Sequence, residues 1–352
     1  MTGRPRRRLT TILARSGIVA AALASCARGD AGTAQRTGLQ ALEPLFVVEG
    51  GHADSVLLHP RVLRAGGDML YVLDIGRSAV EAFDRDGRLL WLVGRRGSGP
   101  GEFRNVSSME VGPEGTLWLL DRANARLTGV RRDGSVHLEL ALDEQLLANH
   151  RLLPIDADHV GLLQMDDPVL TVVHMSTGTV VARHNHPWPE YGRHHPIAAD
   201  FLPVRDAGAG IVALAFGFGL GFIVTDYAFD GAGQLHPYIE AMPLPSVRVE
   251  RTGAREMSTI TGPPAVRGAA GGNGLLYLLF TGSTSRAGRL LDRYDLRSAR
   301  YLDSWVLPRP ANGLAVLGDT VYTLELDSLP RLAAYLLPRA RHDGSLSGHP
   351  YR

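Results

Sequence analysis

Short apolar runs, broken by polar or glycine-containing turns, recur along most of this chain. Leu70-Tyr71-Val72-Leu73-Asp74 is followed by Val80–Phe83, the turn Asp86-Gly87 and the run Leu89–Val93. The same order returns 47 residues later, where Leu117-Trp118-Leu119-Leu120-Asp121 leads to Arg132-Asp133-Gly134. Apolar runs of this length bounded by turn signals read as strands, and Asp-Gly between them reads as a hairpin turn. A fixed period of this size marks a repeat architecture.

Four further units follow the same rhythm. Their second strands are Val160–Leu163, Ile211–Ala215, Leu275–Leu279 and Thr320–Leu324, each preceded by a small or polar turn. Six units of four short strands predict an all-β, six-bladed β-propeller over residues 44–338, an architecture that leaves few sheet edges exposed. The sixth unit ends without an outer strand near Leu332–Leu337, before Pro338. Leu45–Glu49, ahead of the first unit, matches Leu89–Val93 in pattern and is expected to close the ring as that missing strand. Ala207–Val224 is apolar enough to be weighed as a membrane span, but five glycines weaken a helix there. The Asp230-Gly231 turn also keeps the repeat register, which favours a hairpin in the fourth blade.

Residues 1–26 read as an export leader. Arg4, Arg6, Arg7 and Arg8 precede the short apolar run Gly17–Ala24, which ends at Ser25-Cys26. That run falls short of the roughly 20 apolar residues a spanning helix needs. Leu23-Ala24-Ser25-Cys26 resembles the bacterial lipobox, which implies a lipidated Cys26 and a protein held at a membrane of the cell envelope. Cys26 is the one cysteine in 352 residues, so the folded part holds no disulfide, cysteine-based zinc site or cysteine nucleophile. Residues 27–43 are small and polar and are expected to form a flexible tether; 339–352 form a polar tail.

Composition narrows the partners. Hydrophobic residues make up 45% and charged ones 21%, enough to bury a core. A net charge of +1 gives no bulk electrostatic case for nucleic acid. All 37 basic residues are arginine.

The run Gly94-Arg95-Arg96-Gly97-Ser98-Gly99-Pro100-Gly101-Glu102-Phe103, then Leu117–Asp121 and Asn124-Ala125-Arg126-Leu127, resembles the NHL-repeat class of six-bladed propellers, and most of all its exported bacterial lipoproteins. The match covers about residues 60–135. It implies that Asp121, Asn124 and Arg126 hold loops together, and that the fold serves as a binding platform or as a metal-dependent lyase or lactone hydrolase. Fold does not choose among these.

Candidate chemistry falls on two surfaces. Loops between second and third strands should share a face with the crossings between blades, presenting Asp74, Asp121, Asp166, Asp167, Glu325 and Asp327 beside Arg95, Arg96 and Glu102. Such carboxylates could hold calcium, which takes 6–8 oxygens; Asp is equally at home capping turns. The crossing from blade three to four carries His184, His186, His194 and His195 around Trp188 and Tyr191. Imidazoles ligate zinc, though three prolines and an unfamiliar spacing point to a stiff exposed loop with Trp188 and Tyr191 as contact residues. The crossing from Met242 to Pro264 is as long, and Ser258, Thr259 and Thr261 there lack a nucleophile-elbow motif. The residues call for no cofactor and assign no catalytic role. They favour a monomeric, non-catalytic platform for a protein or small-molecule ligand. The alternative, a metal-dependent lyase or lactonase, would need ligands from several blades converging on the channel mouth.

Overall fold

A computed structural model describes residues 36–338, except 38, 51–56, 149–150, 165–167, 186–200, 207–209, 220, 227–233, 241, 243–245, 253–254 and 283–285. The expected leader with Cys26, residues 27–35 of the expected tether and the expected tail 339–352 lie outside the described residues.

Two strands precede the repeats, β1 (Gln40–Ala41) and β2 (Pro44–Glu49). Blade one is β3 (Pro60–Gly66), β4 (Met69–Asp74), β5 (Ala79–Phe83) and β6 (Leu89–Val93). Blade two is β7 (Val106–Val111), β8 (Leu117–Asp121), β9 (Arg126–Val130) and β10 (Val136–Ala141). Blade three is β11 (Arg151–Pro154), β12 (His159–Leu163), β13 (Leu170–His174) and β14 (Val180–His184). Blade four is β15 (Phe201–Asp206), β16 (Ile211–Phe216), β17 (Gly221–Asp226) and β18 (Leu235–Pro237). The hairpin of β19 (Ser246–Thr252) and β20 (Arg255–Thr261) stands between blades four and five as its own two-stranded sheet. Blade five is β21 (Val266–Gly272), β22 (Leu275–Phe280), β23 (Leu290–Asp295) and β24 (Tyr301–Val306); β25 (Ala311–Leu317), β26 (Thr320–Leu326) and β27 (Pro330–Leu336) begin blade six.

The innermost strands β3, β7, β11, β15, β21 and β25 each touch the next, and β25 touches β3, so the six blades close a ring around a channel. β2 pairs antiparallel with β27, from Phe46 opposite Ala334 to Glu49 opposite Arg331. The N-terminal strand therefore supplies the outer strand of blade six. The fourth-blade segment is strand, with β16 paired to β17, and no described helix is long and apolar enough to span a membrane.

The core lies between blades rather than within them. Along β4, Leu70 and Val72 pack toward blade six, while Tyr71 and Leu73 pack toward blade two. Along β8, Leu117 and Leu119 face blade one, and Trp118 and Leu120 face blade three. A strand covered on both faces has no polar side to show, which explains the unbroken apolar runs. Burying a side chain of this size is worth about 1.5–3 kcal/mol. The turn glycines Gly87 and Gly134 adopt φ of 80° and 85°, and a Cβ at Gly134 would sit 3.0 Å from Trp91 of the preceding blade.

Two segments differ from expectation. Arg36–Leu42, assigned to the flexible tether, is docked: β1 adds in parallel to β24, with Gln40 opposite Trp305, and Ser304 N–H donates to the Thr37 carbonyl at 3.0 Å. Arg36 is the reason, since its guanidinium forms a two-pronged ion pair at 2.9 Å with the buried Asp292, also bonds Glu240, and lies 4.8 Å from the Phe280 ring. The crossing from Met242 to Pro264 is not structureless: it folds back as β19–β20, paired antiparallel from Ser246 opposite Thr261 to Thr252 opposite Arg255.

Candidate functional site at the channel mouth

The first residues of each inner strand meet the crossings, and there the ladder carries a repeated irregularity. Register between first and second strands skips one residue in four blades: Arg61 in blade one, Ser107 in blade two, Arg267 in blade five and Asn312 in blade six. A bulge leaves its extra residue unpaired and re-aims its side chain. In blades three and four Arg151 and Leu202 hold the corresponding place without a skip. These six residues, one per blade, line a single chamber of about 400 Å³. A second pocket of about 380 Å³ shares Arg151, Leu202, Arg267 and Asn312 and extends to Phe218 and Pro264.

Among the described residues that line the chamber there is no carboxylate. Arg267 Nη1 donates to Asn312 Oδ1 at 2.7 Å, which fixes that guanidinium against the rim. Deeper in the channel the arginines are matched by the protein itself. Arg64 Nη2 meets Glu110 Oε1 at 2.5 Å, and Arg205 donates to the carbonyls of Val111 (2.9 Å) and Pro154 (3.2 Å), bridging three blades. A separate cavity of about 120 Å³ lies at that depth, lined by Arg64, Glu110 and Arg205. Below the mouth, polar bridges from Arg64 and Arg205 thus cross between blades.

The carboxylates expected on the same face lie deeper. Asp74 is fully buried and accepts backbone N–H bonds from Leu58 (2.6 Å), His59 (2.9 Å), Gly76 (2.9 Å) and Arg77 (3.1 Å), tying the incoming crossing to the loop after β4. Asp121, equally buried, repeats this one blade on with Arg104, Asn105, Ala123 and Asn124. Both oxygens of each group are consumed in this way, so neither carboxylate is presented to solvent. Glu325, at the matching position of blade six, accepts from Tyr335 Oη and from Thr323 Oγ1. Asp327 makes an exposed pair with Arg309 at 3.1 Å. Glu102 accepts from Gly99 N–H and Arg95 Nε, both at 2.8 Å; the Gly99 bond first, and Arg95 next, hold its carboxyl below the usual range. Arg95 and Arg96 are exposed on the glycine-rich crossing, which Asn124 and Arg126 staple through the carbonyls of Gly97, Gly99 and Glu102.

His184 ends β14, an outer strand, half-buried and away from the channel. Its companions His186, His194 and His195, with Trp188 and Tyr191, lie outside the described residues, as do Asp166 and Asp167. Among the described residues no three His, Cys, Asp or Glu come together in a metal-binding group. The arginine ring went unnoticed in the sequence. Its one signal was spacing, since each member sits 12 to 14 residues before the residue that ends its second strand.

No protein-family model matches the chain, and no curated protein matches it either. Its fold is similar to that of a protein from Bacteroides fragilis NCTC 9343 described as exported, at 13% identity over 84% of this chain and 96% of that one, with a TM-score of 0.53. It is also similar to U3-55K, at 11% identity over 83% and 98% of the two chains, TM-score 0.52. Virginiamycin B lyase from Staphylococcus aureus matches over 83% and 88% at 11% identity, TM-score 0.47. Likeness at such identities is one of architecture alone, and the six blades are counted from this chain's own strands.

Proposed function

We propose that this protein is a non-catalytic binding platform of the NHL-repeat type, anchored in the cell envelope through a lipid on Cys26. Its ligand, a protein or a small molecule, is held over the mouth of the channel. The observation that carries this reading is the ring of six inner-strand residues, one from each blade, around a chamber of about 400 Å³. Rigid inner strands place those side chains, while the crossings around them are free to vary. The sequence supports the anchor: a basic start, a short apolar run and a lipobox-like end at the single cysteine.

The test is the metal content of the purified full chain, with melting before chelation and again after the chelator is dialysed away. A platform holds no stoichiometric zinc or calcium and melts at the same temperature throughout. Tightly bound metal whose loss lowers the melting temperature would overturn the metal-free platform. For the anchor, C26S should abolish incorporation of labelled fatty acid and release the protein from the membrane fraction; continued labelling would refute it.

A further inference from the structure

The repeat lets outer strands be compared position by position, and blade one departs from its neighbour. The offset of 47 residues sets Leu90 and Leu92 of β6 against His137 and Glu139 of β10. All four are exposed, so blade two shows solvent a polar rim where blade one shows leucine. Leu89, Leu90 and Leu92 are 43%, 50% and 47% exposed, while Trp91 between them packs into the seam with blade two. The rim of blade six is alike. On β2, Leu45 is 58% exposed and Val47 37%, and Leu336, next to the Tyr335 that faces Pro44, is 57% exposed.

Both β2 and β6 are the outermost strands of their sheets among the described residues. Proteins guard such edges with charge, proline or a cover, and adjoining apolar residues left at the surface mark an interaction site. The two rims do adjoin: a Cβ on Gly87, in the turn before β6, would lie 2.5 Å from the Phe46 ring of β2. Two features name lipid as the cover. The chain runs upstream from β2 through β1 to Arg36, and nine residues separate Arg36 from Cys26, a span of at most about 35 Å. A lipid on that cysteine keeps Arg36 within that distance of the bilayer. Arginine also brackets the leucines, with Arg85 and Arg88 exposed before β6 and Arg95 and Arg96 exposed after it. Asp84, Asp86 and Glu102 are the acidic residues of the same stretch, which stays net positive. Leucines that enter the acyl boundary beside arginines that reach the headgroups compose an interfacial surface.

We propose that the outer rims of blades six and one, centred on Leu45, Leu90, Leu92 and Leu336, rest on a lipid bilayer. This rests on the anchor at Cys26 and names the surface which that anchor brings into contact. The channel mouth then opens along the membrane, with its ligand reached from the side.

The test places an environment-sensitive nitrobenzoxadiazole label at L90C, L336C or V181C in the lipidated full chain, reconstituted on vesicles of phosphatidylcholine and phosphatidylglycerol. Acylated Cys26 does not take the label, so each chain carries one. Val181, 51% exposed on β14 of blade three, is the control. Emission from L90C and L336C should shift to the blue and be lost when the vesicles carry nitroxide lipid, while V181C keeps the emission of a label in water. With one label per chain, absence of the shift at L90C or at L336C, or equal quenching at all three positions, would overturn the proposal and leave the anchor standing. A blue shift that nitroxide lipid does not quench would overturn it in favour of a protein cover, a second copy of the chain included. Two labels per chain would show Cys26 free, and the proposal would fall with the anchor it rests on.

Discussion

Glu81 projects from β5 with its side chain fully buried, 3.3 Å from Arg77 Nε but without the alignment of a hydrogen bond. Burial pushes its carboxyl up to about 8, the charge of Asp74 adds to the rise, and Arg77 only partly opposes it. Desolvation outweighs the ion pair here. Because the folded state holds a proton that the unfolded chain has lost, stability should be greatest below the ordinary glutamate range and fall as pH climbs toward 8. Melting temperature against pH, compared with E81Q, reads this directly: the variant's curve should be flatter and cross above the wild type near pH 8. Curves that stay parallel would refute it. Asp74 and Asp121 act in the other direction, as acceptors for backbone groups that nothing else reaches. D74A should cost about 3 kcal/mol in urea unfolding, since several buried N–H groups lose their partner at once. These two positions were legible because the repeat printed them twice at the end of a second strand. The mouth arginines were not, since Arg61 and Arg267 are single bulge residues in a chain with 37 basic side chains, and a bulge leaves no mark on hydrophobic pattern.

At the scale of elements, the same contrast holds. Strand β2 could be read from its likeness to β6, because an outer strand keeps a half-exposed alternation wherever it comes from in the chain. The docking of β1 could not, because the residue that fixes it, Arg36, finds Asp292 at a separation of 256 residues. Removing that guanidinium leaves a fully buried carboxylate with Ser304 as its remaining donor. R36A should therefore cost about 3–5 kcal/mol, as breaking a buried pair does, while D292N in the same background should restore part of the loss. Urea unfolding of the single and double variants measures both. An R36A protein as stable as wild type would show that the segment merely rests on blade five. The β19–β20 hairpin was missed for a simpler reason: the repeat has no slot for it.

For the whole molecule, stability is distributed as six interfaces between neighbouring blades, so an opening at one seam exposes two apolar faces at once. The seam between blades six and one is fastened by β2, whose Phe46 and Val48 pack with Leu332 and Ala334. A chain starting at residue 44 keeps that fastening and loses Arg36 and β1; one starting at residue 51 loses both. Calorimetry should show a modest drop for the first, about 5–10 °C, and loss of the single cooperative transition for the second. Equal melting of the two would mean that the ring does not depend on its clasp. The order of attachment has a mechanical meaning. Any pull arriving from upstream of Arg36 meets the ion pair with Asp292 and the rungs of β1 on β24 before it can reach β2. Blade five thus serves as a strain relief, like the knot behind a cable socket, and a tug from the N-terminal side is taken up one blade short of the joint that holds the ring shut.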